Sequence, residues 1–236
     1  MTAIASPYAL SPVLAQLNDR YTPLSFQERL RQLYRDFSAQ DVLVTSSFGT
    51  QSIFLLYFLH RTGNRQKIHF LDTGYHFPET LAYKEEIRGL LNLDIIELKA
   101  DKTKHELSQN LSLWEHQPNR CCYYNKVAPL QEVKSRHKVW LSGVRAYQTP
   151  ERGHLKIWEE QDGLLKFHPL IDLDEGEFLF YQGKYQLPQH PVAQLGYGSI
   201  GCTHCTVKGE GRSGRWQGQN KTECGLHVSL PEPNGQ

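Results

Sequence analysis

From Leu24 to Phe37 the chain reads LSFQERLRQLYRDF, with Leu30, Leu33, Tyr34 and Phe37 at helical spacing and charges between them. The pattern then shortens to DVLVTSS (Asp41 to Ser47), a buried strand, and lengthens again in TQSIFLLYFLHR, apolar on most sides and long enough for a core helix. KIHFLDT is the next β-rich run, and PETLAYKEEIRGLL predicts a helix opened by Pro78. LDIIELKA and KVWLSGV supply two further strands with a helical stretch between them. Strands alternating with helices predict an α/β fold: a mostly parallel, twisted sheet flanked by helices. Ligands in such sheets sit beyond the C-terminal strand ends. That rule sets SSFGTQS, LDTGYHFPET and SGVRAYQTPER along one crevice. Beyond about residue 185 periodic apolar positions give way to Gly, Arg, Lys and Cys. We therefore divide the chain into an N-terminal helical segment (1–40), an α/β nucleotide-binding core (41–200), and a ligand loop with a flexible, cysteine-bearing tail (201–236), one domain in all.

Composition narrows the chemistry. Apolar residues at 39% exclude wholesale disorder, and a formal net charge of +1 gives no global field for nucleic acid or an anionic membrane surface. Any anion site has to be built locally. No apolar run spans a bilayer, and the N-terminus lacks a basic segment followed by an apolar one, so the expected compartment is the cytoplasm. Thiols stay reduced there, so five cysteines point to metal ligation or catalysis more than to cross-links.

Three strand ends carry candidate binding groups. Ser46, Ser47, Phe48, Gly49 and Thr50 form a strand-to-helix turn whose free N–H groups suit an anion, although an ordinary capped turn reads the same way. The Gly-Lys-Ser/Thr ending of a Walker A loop is missing. Asp72, Thr73 and Gly74 end another strand, either offering a carboxylate and hydroxyl to a ribose or making an Asx turn before Pro78. Arg145 and Arg152 flank Gln148 and Thr149 on a third loop, where guanidinium forks fit phosphate or sulfate oxygens.

The cysteines are the more specific signal. Cys121 and Cys122 are adjacent, and Cys202 and Cys205 make a C-x-x-C. Four thiolates bind zinc or a [4Fe–4S] cluster, and adjacent cysteines, which point apart, suit two irons of one cube better than one tetrahedral ion. Lys126, one helical turn after Cys122, offsets thiolate charge. Cys224 stands apart, after a stretch holding Lys208, Arg212, Arg215 and Lys221 and flanked by Glu223 and His227. Positive surroundings favour a thiolate, the nucleophilic form.

With CCYYNKVAPL, GYGSIGCTHCT, GRW and KTECGLH on the page, the chain resembles the assimilatory sulfonucleotide reductases, specifically the iron–sulfur adenylyl-sulfate (APS) reductases, from about Asp41 to His227. The resemblance implies a PP-loop fold like that of the adenine nucleotide α-hydrolases, with SSFGTQS as a modified pyrophosphate-binding loop. It implies a [4Fe–4S] cluster on Cys121, Cys122, Cys202 and Cys205 that organises the site and donates no electrons. Cys224 is implied to attack the sulfur of APS, forming an S-sulfocysteine, and a thioredoxin or glutaredoxin in trans to release sulfite. Lys126, Arg145, Arg212 and Arg215 would neutralise the substrate's charge, with Gln148, Arg152 and His227 beside it. The sequence departs from the family at Asn125, where many relatives carry a basic residue, and at Leu173, where an aromatic is common. The rival readings are a reductase of the 3′-phosphorylated substrate PAPS, a PP-loop ATP pyrophosphatase or thiolase, and a four-cysteine zinc module binding nucleic acid. SSFGTQS lacks the second Gly and the Asp of the usual pyrophosphatase loop, and the near-neutral charge argues against the zinc module.

Overall fold

The computed structural model describes residues 11–226. Its helices are α1 (Ser11–Tyr21), α2 (Phe26–Asp36), α3 (Ser52–His60), α4 (Pro78–Leu91), α5 (Lys102–Asn110), the single turns α6 (Leu113–His116) and α7 (Pro118–Cys122), α8 (Ala128–Lys134) and α9 (Glu175–Lys184). The strands β1 (Val42–Ser46), β2 (Lys67–Asp72), β3 (Asp94–Lys99), β4 (Val139–Leu141), β5 (Trp158–Gln161) and β6 (Leu164–Phe167) form one six-stranded sheet in the order β3-β2-β1-β4-β6-β5. The pairs β1–β4, β2–β3 and β4–β6 are parallel, and β5 joins β6 antiparallel. The mostly parallel α/β sheet read from the sequence is therefore present. Among the described residues no helix is long and apolar enough to cross a membrane.

The chain forms two compact units. The first comprises residues 11–45, 53–66 and 136–188. Its core follows from α3, where Ile53, Phe54, Leu55, Leu56, Phe58 and Leu59 are all buried, as expected for a helix apolar on most sides. Phe54 and Phe58 meet Phe26 of α2, and Phe54 meets Phe178 of α9 at a centroid distance of 5.0 Å. Helix α2 opens with a reciprocal cap between Ser25 and Glu28. Buried Arg29 donates to both carboxylate oxygens of Asp172 and to the carbonyls of Tyr21, Thr22 and Pro169, tying α2 to the segment after β6.

The β5–β6 hairpin and α9 lie outside the elements read from the sequence, yet both are signalled in it. Asp162 and Gly163 take positive φ (56° and 80°), the two-residue turn that Asp-Gly favours between antiparallel strands. Helix α9 opens with a cap between Asp174 and Glu177.

The second unit comprises residues 46–52, 67–135 and 189–226. Within it, α7 runs through a π turn at Tyr123–Val127 into α8. Such turns recur at functional sites. His190 is fully buried; its Nδ1 accepts the Val192 N–H at 3.3 Å, so Nε2–H donates to Thr80 at 3.1 Å. Burial pulls its pKa down from 6.5 to about 4. The unfolded chain therefore binds a proton that the folded one excludes, so this contribution to stability is complete above pH 6.5 and is lost as pH falls through 4. We expect it to amount to roughly 2 kcal/mol once solvent screening is allowed for. Urea titrations between pH 7 and 4 should show a flatter pH dependence in His190→Asn, which keeps an acceptor for Val192 but cannot titrate; equal slopes would refute the assignment.

Candidate active site

The β1–α3 turn belongs to the second unit. Buried Phe48 takes φ 47°, a conformation that a bulky residue adopts only under constraint, and its N–H is held by Ser46 Oγ at 3.2 Å. Thr50 donates to the Gly198 carbonyl at 3.0 Å, and Gly49 lies against Ile200, where a Cβ would be 3.4 Å from Ile200 Cγ2. The β1–α3 turn thus lies against the Gly-rich segment that follows residue 195.

The β2 tip has a different emphasis. Asp72 Oδ1 accepts the Gly74 N–H at 3.0 Å, the Asx turn weighed above, and its other oxygen faces Lys99 at 3.4 Å. Thr73 Oγ1 lies 3.4 Å from the Cys202 sulfur. The Thr203 N–H donates to the Tyr75 carbonyl at 2.8 Å, fastening this tip to the C-x-x-C segment.

Cys121, Cys122, Cys202 and Cys205 are all buried and reduced. Cys121, Cys202 and Cys205 share a cluster with Tyr75, Leu113, Tyr124 and Trp216, and half-buried Cys224 packs against it. Burial pushes the Cys121 thiol up and the Cys205 thiol up to about 12, with the neighbouring sulfurs adding to each shift. Positive charge beside these sulfurs favours their thiolate form. Lys126 supplies part of it, its Nζ 3.9 Å from Cys122 Sγ one helical turn away. Burial alone would lower the Lys126 pKa; the negative charge of Cys122, Cys202 and Cys224 together outweighs it, against Arg215, and the net shift is upward. Lys126 is accordingly an ammonium ion facing sulfur. Among the described residues no three or more His, Cys, Asp or Glu side chains are grouped to hold a metal ion.

The segment carrying Cys224 is fastened at several points. Arg212 Nη2 donates to the Thr222 carbonyl at 3.0 Å and to Glu223 Oε2 at 3.1 Å, with the carboxylate side chain 2% exposed. Gln219 donates to the Trp114 carbonyl at 3.0 Å, and Lys221 to Asn119 Oδ1 at 2.7 Å. Arg215 donates to the Ile200 carbonyl at 3.0 Å and stacks over Trp216, 4.5 Å from the ring centre. The Trp216 backbone N–H in turn donates to the Cys205 carbonyl at 3.0 Å. Cys224 and Arg215 each lie within electrostatic reach of Lys126. His227 lies outside the described residues.

Arg145, Gln148 and Arg152 belong to the first unit. Gln148 Oε1 accepts the Arg145 backbone N–H at 3.2 Å and a guanidinium N–H of Arg152, so one amide organises both arginines. Burial, reinforced by the charge of Arg152, pulls the Arg145 pKa down to about 10 against the opposing influence of Tyr147. Two buried guanidiniums repelling one another are relieved by an anion.

Sequence reading passed over His105 and Ser108, and it took Asn125 only as a lost cation. The structure gathers all three beside Cys121: Ser108 Oγ donates to Cys121 Sγ at 3.5 Å, and Asn125 Nδ2 donates to the Cys121 carbonyl at 2.9 Å. Nothing in the local sequence links them, because their contacts span up to 20 residues.

Comparisons with known proteins agree in one direction. A family profile described as phosphoadenosine phosphosulfate reductase domain matches residues 41–208. The chain is 36% identical over 222 residues to adenosine 5′-phosphosulfate reductase of Bacillus cytotoxicus, covering 86% of this chain and 94% of that one. It is 34% identical over 226 residues to phosphoadenosine 5′-phosphosulfate reductase of Gloeobacter violaceus, covering 91% and 93%. The crystal structure of phosphoadenylyl-sulfate (PAPS) reductase from Candida auris, a phosphate complex, superposes with a TM-score of 0.70 at 27% identity, over 84% of this chain and 97% of that one. Yeast FAD synthetase, in complex with FAD, shares the fold alone, with a TM-score of 0.56 at 12% identity over 78% of this chain and 66% of that one.

The Arg212–Glu223 pair makes a direct prediction. Arg212→Ala leaves a buried carboxylate without its guanidinium and should speed hydrogen exchange across residues 216–226 by about tenfold or more, and Glu223→Gln by less. Unchanged exchange in both variants would mean that the pair does not hold the segment.

Proposed function

The chain belongs to the phosphoadenosine phosphosulfate reductase family, and from that premise we propose that it reduces adenosine 5′-phosphosulfate to sulfite and AMP in assimilatory sulfate reduction. The observation that carries this reading is the position of Cys224, the half-buried member of five cysteines, packed against the other sulfurs and within the field of Lys126.

The Cys224 thiolate attacks the sulfur of the substrate's sulfate. A sulfur–sulfur bond forms as the bond from sulfur to the bridging phosphate oxygen breaks, and AMP leaves with the electron pair. The enzyme then carries an S-sulfocysteine. A thiolate of a thioredoxin or glutaredoxin attacks Cys224 Sγ and expels sulfite; the donor's second thiol resolves the mixed disulfide, leaving the donor oxidised and Cys224 restored. Lys126 and Arg215 offset the repulsion between thiolate and anionic substrate and stabilise charge developing on the leaving phosphate. We assign oxyanion recognition also to Arg145 and Arg152, organised by Gln148, and place the β1–α3 turn at the phosphate end of the nucleotide.

Cys121, Cys122, Cys202 and Cys205 offer four reduced, buried sulfurs, the donor set that a [4Fe–4S] cluster takes. Cys121 and Cys202 have hydroxyl groups of Ser108 and Thr73 against their sulfurs, and Cys122 has Lys126. Bound there, the cluster would add a fixed charge and hold the C-x-x-C segment to α7. Such an enzyme belongs in a reducing compartment, and we place it in the cytoplasm.

Anaerobically purified protein mixed with APS and no thiol donor should gain one sulfonate by intact mass, matched by released AMP and lost in Cys224→Ser. PAPS run in parallel ranks the two nucleotides, and a larger adduct yield from PAPS would reassign the substrate. No adduct from either nucleotide would overturn the reductase mechanism.

A further inference from the structure

Cys121 receives a set of hydrogen bonds that the reaction above does not use. Asn125 is 1% exposed and Ser108 fully buried. Asn125 Oδ1 lies 2.8 Å from His105 Nδ1; an amide oxygen only accepts, so the imidazole donates. This fixes the amide, whose nitrogen donates to the Cys121 carbonyl at 2.9 Å and to Ser108 Oγ at 3.1 Å, with Cys121 Sγ 3.8 Å away. Ser108 Oγ also accepts from the Tyr75 hydroxyl at 3.4 Å. With its lone pairs engaged, its own hydrogen goes to Cys121 Sγ at 3.5 Å. The chain of donors ends in the Ser108 hydroxyl, whose hydrogen goes to the Cys121 sulfur.

Gly74 is part of the same construction. It takes φ 72°, and a Cβ there would stand 2.7 Å from His105 Cε1, so a side chain would push the imidazole off Asn125. The glycine read from sequence as a nucleotide contact is required by this approach.

We propose that His105, Asn125 and Ser108 are positioning residues for the cluster, a relay of hydrogen-bond donors that orients and polarises the Cys121 sulfur. This rests on the cluster reading above and deepens it. Adjacent cysteines are thereby made unequal: Cys122 faces a charged ammonium, and Cys121 faces uncharged donors whose bonds reinforce one another. A basic residue in place of Asn125 would put a second cation here; the amide supplies direction without charge.

The test compares wild type with Ser108→Ala, Asn125→Asp and Gly74→Ala, all purified anaerobically, by iron content and by the iron–sulfur stretching bands in resonance Raman spectra. Ser108→Ala should keep wild-type iron while shifting the bands assigned to one cysteine ligand, because a lost hydrogen bond changes that iron–sulfur bond. Asn125→Asp, which replaces the donor nitrogen with an acceptor, should shift them further or lose iron with secondary structure retained. Gly74→Ala should reproduce the effect from a distance. Iron-loaded Ser108→Ala and Asn125→Asp with unchanged bands would overturn the relay alone. Wild-type protein without iron would overturn the cluster reading and the relay with it. Should Asn125→Asp fail to fold, Ser108→Ala decides.

Discussion

The constraint on which the second unit depends is the burial of four sulfurs together with one ammonium group. A lysine is costly to desolvate and a thiolate no less so, and neither is stable in an apolar interior without the other. Lys126 sits one turn beyond Cys122 on a helix interrupted by a π turn, and its proton is held by the summed charge of Cys122, Cys202 and Cys224. Remove the sulfurs and the burial of Lys126 becomes unfavourable; remove Lys126 and Cys122 loses the ammonium 3.9 Å from its sulfur. The C-x-x-C segment, the β2 tip and the segment carrying Cys224 are all fastened around this arrangement.

The fastening explains composition that looked at first like looseness. The Gly-rich run after residue 195 reads as a flexible loop, but Gly198 is there for close backbone packing. The Gly198 N–H donates to the Gly209 carbonyl at 2.9 Å, and a Cβ on Gly198 would stand 2.9 Å from the Gly211 carbonyl oxygen. Trp216, buried at φ 49°, holds the same run against the Cys205 carbonyl. The strain of a left-handed tryptophan is offset by the arginine and lysine cations over its ring.

Much of this was legible in the sequence, and the rest was hidden for physical reasons. Helix α4 and strands β1 to β4 follow from apolar period and from Pro78, since those signals are local. The β5–β6 hairpin was also written locally, in Asp162 and Gly163, and escaped because four-residue strands carry little periodicity. The cysteine pairs and Lys126 were readable because their chemistry is rare and their spacing short. His105 and Ser108 were not, since a histidine and a serine on a polar helix have no meaning until the fold brings Asn125 against them. Asn125 shows the opposite failure: measured against relatives it looked like a lost charge, whereas its amide bonds three partners at once.

The charges around Cys224 raise a last question of balance. Glu223 puts a carboxylate next to Cys224 in the chain. Its charge is taken up by Arg212 at 3.1 Å. Arg212 therefore has two claims on it, the buried carboxylate and any anion arriving at the site. A guanidinium side chain 19% exposed can serve the second only by loosening the first, and a carboxylate 2% exposed is costly to leave unpaired.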